Sequence, residues 1–390
     1  MNFLSLVAAL FVAAPVLSSP IAGPGALLSV ESAVGATPGH YIVQFKKGAS
    51  RKSHINKLGL KPKADWNNIN GFAAELDVDA LNALRASPDV ESISEDGIVS
   101  ASLTIIQTDA PWGLARISQE GPLAYQNPAA TNYTYPYDAT AGFGVDVYVL
   151  DTGVYTGHSD FTSGRATWGV SYVGETTDGN GHGTHCAGTI GGYRWGVSKR
   201  VNIISVQVLS SSGSGSFSGV ISGLNWVQTA AAASGRPSVV SMSFVAAGST
   251  SLDSAVATLT ASGIHVVVAA GNNNANVSGY SPARVPSAIT VGATTITDAV
   301  ASFSNYGAFV DIFAPGMAII STSIGSPTAT ISRSGTSMAA AHVAGIVAYL
   351  IGRDGDLGPG VMATKLHKLA VSGALTGVSS GTVNLLAQMV

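Results

Sequence analysis

Between residues 144 and 350, short runs rich in Val and Ile alternate with stretches of helical spacing, and this alternation limits the folds open to the chain. Strands are predicted at 144–150, 201–209, 239–244, 265–269 and 288–293, and helices at 182–191, 220–233, 251–262 and 337–350. Strands apolar on both faces with helices between them imply an α/β fold, a doubly wound mostly parallel sheet. In such a sheet the reactive loops lie at the carboxyl ends of the strands. The apolar fraction of 46% supplies a large core, and a charged fraction of 11% with net charge −3 gives no electrostatic reason to expect a nucleic-acid or membrane partner.

Three separated motifs add chemistry to this frame. Asp151 ends the first apolar strand, His182 stands between two glycines at the start of a small-residue helix, and Ser337 follows Gly335 and Thr336 at the start of another. A serine hydroxyl needs an imidazole to take its proton and a carboxylate to orient that imidazole, so these residues are candidates for nucleophile, base and orienting acid. Asp146 is the nearest rival acid but points from mid-strand. His185 is read as a structural helix residue, since the His182/His185 pair has no third metal ligand nearby. Cys186, the single cysteine, falls one helical turn after His182 and is read as a buried small hydrophobe rather than a nucleophile.

The wording of these motifs resembles the subtilisin-like serine proteases, the proteinase K branch in particular. The residues concerned are Asp-Gly-Asn-Gly-His-Gly-Thr-His-Cys-Ala-Gly from Asp178, Ala-Ala-Gly-Asn-Asn-Asn from Ala269 and Gly-Thr-Ser-Met-Ala from Gly335, in the order Asp, His, Ser. The resemblance implies a serine endopeptidase acting through an acyl-enzyme at Ser337, with Asn272 as side-chain donor to the oxyanion. It implies substrate-binding segments at Gly213, Ser214 and Gly215, at Ser243, Phe244 and Val245, and at Ala270 and Gly271. It further implies a calcium site at Asp311 with the carbonyls of Pro286 and Ala288. No organic cofactor is expected, and the partners are extended polypeptide substrates, with a monomer as the default.

Ahead of this region, residues 1–19 read as a secretory signal peptide, from which a secreted, extracellular protein is expected. Residues 20–104 contain two alternating strand patterns, each followed by a helical pattern, and resemble the inhibitory propeptide that precedes such enzymes. The catalytic domain is then expected over 105–390, with the junction near Thr104 and Ile105. Sequons at Asn132 and Asn276 are candidate glycosylation sites.

Two departures from the family pattern matter. Ala341 stands where a proline is usual after the nucleophile, and Val245 replaces a glycine in the substrate segment, which implies a narrowed pocket favouring small side chains before the cleaved bond. They leave room for an alternative, a catalytically impaired homologue that binds peptides.

Overall fold

The structure is a computed structural model and describes residues 27–31, 39–97 and 103–389. The expected signal peptide lies outside these residues. Two compact units divide at Asp96 and Gly97.

The first unit is a five-stranded sheet with two helices. His40–Phe45 pairs antiparallel with Gly71–Glu75 on one side and Val90–Glu95 on the other, Ala64–Trp66 extends one edge, and Val30–Glu31 extends the other. Phe45, Phe72, Leu84 and Ile93 fill its core. The Asp77 carboxylate accepts from Ala80 N–H at 2.8 Å and caps the Val78–Arg85 helix.

The second unit is built on nine strands. From one edge they run Val371–Ser372, Leu385–Leu386, Ile312–Pro315, Ile289–Thr294, His265–Ala269, Ser238–Met242, Asp146–Asp151, Asn202–Gln207 and Ala166–Ser171. All pairings are parallel except that between Val371–Ser372 and Leu385–Leu386. Asp146–Asp151 is buried throughout, and its side chains alternate between two cores. Val147 and Val149 pack with the His182–Gly191 and Thr336–Asp354 helices, whereas Tyr148 and Leu150 pack with Phe217–Ser234 and Thr250–Ala261. The chain winds away from Asp146–Asp151 in both directions, which places the strand order's reversal, and so the crevice, at Asp151.

Sequence reasoning missed the strands Ala166–Ser171 and Ile312–Pro315 and the helix Pro359–Leu369. The first is a partly exposed edge strand and the second is short and ends in proline, so neither carries a long Val/Ile run. Asp146 proves to be the first residue of its strand rather than mid-strand; Arg236 Nε and Asn202 Nδ2 both donate to it at 2.8 Å. Among the described residues no helix is long and apolar enough to cross a membrane.

Candidate active site

Asp151 and His182 meet at the crevice. His182 Nδ1–H donates to Asp151 Oδ1 at 2.7 Å, and Thr152 N–H donates to the same oxygen at 2.7 Å. The other oxygen, Oδ2, is buried without a protein partner, so His182 is the main group that offsets this carboxylate. The helix can come this close because position 183 is glycine: a Cβ there would lie 2.1 Å from Gly153 O and 3.0 Å from Asp151 Cβ. Burial pulls the His182 pKa down, but the charge and hydrogen bond of Asp151 together outweigh it, and the imidazole sits above its ordinary 6.5.

Asp178, which the motif reading quoted without a role, organises this corner. Its Oδ1 accepts from Thr152 Oγ1, Asn180 N and Gly181 N at 2.9, 3.1 and 2.8 Å, and its Oδ2 from Thr184 N and Oγ1 at 3.0 and 2.6 Å. A buried carboxylate at a helix N-terminus is stabilised by such donors and by the helix dipole. Thr152 completes the link, since its hydroxyl also accepts from Gly183 N–H at 3.0 Å.

Ser337 is the second residue of the Thr336–Asp354 helix and is nearly buried. Its hydroxyl donates to Ser243 C=O at 2.7 Å, and Ser243 Oγ returns a bond to Ser337 C=O at 3.1 Å. This exchange draws Ser243 out of the sheet, so the strand expected to reach residue 244 ends at Met242. Residues 243–245 are left without ladder partners. Gly213, Ser214 and Gly215 form an exposed irregular segment rather than a strand. Ala341 lies inside an unbroken buried helix, as expected of an alanine there.

Asn272 is held by Thr336: its Oδ1 accepts from Thr336 N at 2.8 Å and from Thr336 Oγ1 at 2.9 Å. Thr336 Oγ1 also accepts from Gly271 N–H at 3.0 Å. Asn305 fixes the same loop, with Oδ1 accepting from Asn273 N and Ala275 N at 3.0 Å each and Nδ2 donating to Ala270 C=O at 2.8 Å. A side chain on Gly271, at φ +103°, would lie 2.4 Å from that Nδ2 and 3.0 Å from a methyl of Val245, which ties the loop to residues 243–245. Neither Thr336 nor Asn305 was found by sequence reasoning; Thr336 could have been, as the neighbour of the nucleophile.

His185 behaves as read. Its Nε2–H faces the carbonyls of Ile319 and Ile331 at 3.0 and 3.2 Å, and burial lowers its pKa to about 3, so it stays neutral. Cys186 is fully buried, and although its sulfur lies within 4.8 Å of the ligand atoms of Asp151 and His182, burial and then the charge of Asp151 push its thiol well above the ordinary range. A thiol held protonated is neither a nucleophile nor a good metal ligand. Met338 is buried as well.

Asp311 sits against the Ile289–Thr294 strand, its N–H donating to Thr290 C=O at 2.9 Å. Its Oδ2 accepts from Thr290 N–H at 2.8 Å, and burial raises its pKa to about 6 against the pull of that bond. Thr290 N–H is its one side-chain hydrogen bond among the described residues, and a desolvated carboxylate is the hard oxygen donor that a calcium ion takes.

The subtilase family model matches residues 142–382, and a peptidase inhibitor I9 model matches residues 40–102. The chain is similar to the subtilisin-like serine protease AsES of Sarocladium strictum, 47% identical over 355 residues, 89% of this chain and 88% of that protein. It is also similar to the alkaline serine protease ver112 of Corniculantispora psalliotae, 45% identical over 393 residues, 98% of each. The crystal structure of a cold adapted subtilisin-like serine proteinase matches with a TM-score of 0.65 at 44% identity, covering 72% of this chain and 99% of that one.

Proposed function

The chain belongs to the subtilase family, a serine endopeptidase with an I9 propeptide ahead of its catalytic domain, and on that premise we propose that Asp151, His182 and Ser337 are its catalytic residues and Asn272 its oxyanion donor. The observation that carries the assignment is the 2.7 Å bond from His182 Nδ1 to Asp151, which fixes the tautomer and leaves Nε2 as the basic nitrogen.

Rotation about the Ser337 Cα–Cβ bond releases the hydroxyl from Ser243 and turns it toward Nε2. The oxygen attacks the scissile carbonyl as His182 takes its proton, and Asp151 stabilises the imidazolium. Asn272 Nδ2 and the Ser337 N–H then receive the developing oxyanion at the helix N-terminus. His182 returns the proton to the leaving nitrogen, and the acyl-enzyme is hydrolysed by water activated in the same way.

Substrate lies extended along residues 213–215 and 243–245, and Val245 narrows the pocket for the side chain preceding the cleaved bond. The precursor is secreted and cuts itself near Thr104 and Ile105, releasing a catalytic domain over 105–390 from a propeptide over 20–104. It degrades extracellular protein, with a monomer as the default state. Asp311 with the carbonyls of Pro286 and Ala288 holds a structural calcium ion, and Asn132 and Asn276, both exposed, are glycosylated. No organic cofactor takes part.

The test is to express the full precursor beside Ser337→Ala and determine intact mass and N-terminal sequence of the secreted products. Release of a chain beginning near Ile105 by the parent alone supports the assignment. Equal processing of both, or of neither, removes Ser337 from the reaction.

A further inference from the structure

Arg333 is a cation beside the proposed catalytic histidine that the mechanism above does not use. It ends the Thr330–Arg333 strand, four residues before Ser337, and is half-buried. Its Nη2 donates to Asn180 C=O at 3.3 Å and would lie 3.4 Å from a Cβ on Gly181, the residue that precedes His182. Its Nε is buried with no hydrogen-bond partner. Among the described residues no carboxylate is within ion-pair distance of Arg333.

A guanidinium carries five N–H donors arranged for a carboxylate, and here, among the described residues, its one hydrogen bond is a long one to a carbonyl. The two carboxylates whose fields reach His182 together with that of Arg333 are Asp151 and Asp178. Neither is within ion-pair distance of Arg333: Asp151 holds His182 through Oδ1, and both oxygens of Asp178 are taken up by Thr152, Asn180, Gly181 and Thr184. Nε is closed off by burial and Nη2 holds the Asn180 carbonyl, so the donors that a group from outside the fold can reach are those of Nη1, at the open end of this half-buried side chain.

The direction of the substrate says which group. The scissile carbonyl must sit between Ser337 Oγ and Asn272 Nδ2, and the leaving nitrogen must face His182, which protonates it. Residues after the cleaved bond thus pass the N-terminus of the His182–Gly191 helix, where Asn180, Gly181 and Arg333 meet. Ile324 borders the same place, 3.1 Å from where a Gly181 Cβ would stand, and forms one wall of a cavity of about 520 Å³ with Val154, Tyr155 and Trp168.

We infer that Arg333 is a specificity-determining residue that receives the carboxylate of an acidic side chain at the first or second position after the cleaved bond. The inference rests on the roles proposed for His182 and Ser337. The outer end of the Arg333 guanidinium meets that carboxylate in a charge-assisted pair, and its field disfavours lysine at the same positions.

The experiment uses the processed enzyme and internally quenched peptides that differ only in carrying Asp, Asn or Lys at those two positions, with kcat/KM measured at low and high salt. The parent should prefer Asp over Asn by about five- to tenfold and reject Lys, with the preference shrinking as salt rises. In Arg333→Gln the Asp-to-Asn ratio should fall to about one, and in Arg333→Glu the order should reverse toward Lys. Each ratio is taken within one enzyme, so a general loss of activity cancels. A parent that cleaves all three peptides alike overturns the proposal whatever the variants do, and so does an Asp preference that persists in Arg333→Gln. Failure of the underlying reading looks different: Ser337→Ala would still cleave a peptide nitroanilide, which has no residue after the cleaved bond.

Discussion

Asn272 Oδ1 accepts two hydrogen bonds from Thr336, one from its N–H and one from its hydroxyl, at 2.8 and 2.9 Å. A backbone N–H can only donate, so the atom facing it must be the amide oxygen, and Nδ2 is the end left for a ligand. One residue thereby orients the proposed oxyanion donor and also precedes the proposed nucleophile, which couples their positions.

Asn272→Leu keeps the side chain's size and removes the donor. Its kcat should fall by about 10²–10³-fold with little change in KM. Thr336→Val leaves the backbone bond to Oδ1 in place and removes the hydroxyl that joins Asn272 to Gly271, so its loss of kcat should be smaller. Steady-state kinetics on one peptide substrate decides both, and an unchanged kcat in Asn272→Leu excludes that residue from oxyanion binding.

The pH profile of kcat/KM should rise as His182 loses its proton, because the general base must be neutral. The midpoint should lie above 6.5, since the charge and hydrogen bond of Asp151 outweigh the burial that lowers the imidazole's pKa. In Asp151→Asn that support is gone, so the midpoint should move to lower pH while kcat falls by about 10⁴-fold with the tautomer no longer fixed. An acid limb that does not move would mean that the titrating group is not His182.

Asp178→Ala leaves buried donors around the start of the His182–Gly191 helix unpaired. Buried polar groups cost roughly 1–3 kcal/mol each when unmatched, so a net loss of about 3 kcal/mol or more is expected. For a domain of this size that lowers Tm by about 6–12 °C. Activity should fall with it, as Thr152 and Gly181 lose their anchor. Thermal unfolding and kcat/KM measured on the same preparation check both, and an unchanged Tm would show that Asp178 does not hold this corner.

Calcium should stabilise the enzyme through Asp311 more strongly at pH 8 than at pH 5. Burial raises this carboxyl from 3.8 to about 6, so without a cation its ionisation costs the folded state stability. That cost is absent below pH 3.8 and grows as pH rises to about 6, the reverse of a salt-bridged aspartate. A bound cation offsets it, and protons compete with the cation below about 6. Tm measured with calcium and with chelator at both pH values tests this, and Asp311→Asn should abolish the difference. A chelator effect that survives the substitution would place the ion elsewhere.

The alternation of Val/Ile runs with helical spacing was sufficient to imply a doubly wound sheet, because a strand buried on both faces needs helices on both sides. Asp151, His182 and Ser337 could be proposed from sequence because their motifs resemble those of a known family and because each stands where a strand ends or a helix begins, among small residues. The supports were not legible. Thr336 and Asn272 are 64 residues apart, Asn305 and Ala270 35, and Thr152 and Asp178 26. The end of the strand at Met242 depends on an exchange of bonds between Ser243 and Ser337, 94 residues on. The lack of a carboxylate partner for Arg333 is of the same kind, since whether an arginine has one depends on every carboxylate that the fold brings near it. Sequence alone set the residue types and the local backbone preferences that place them on strand ends and helix starts. Tertiary structure decided which donor meets which acceptor, because a hydrogen bond is a matter of ångströms between groups that only the packed core brings together.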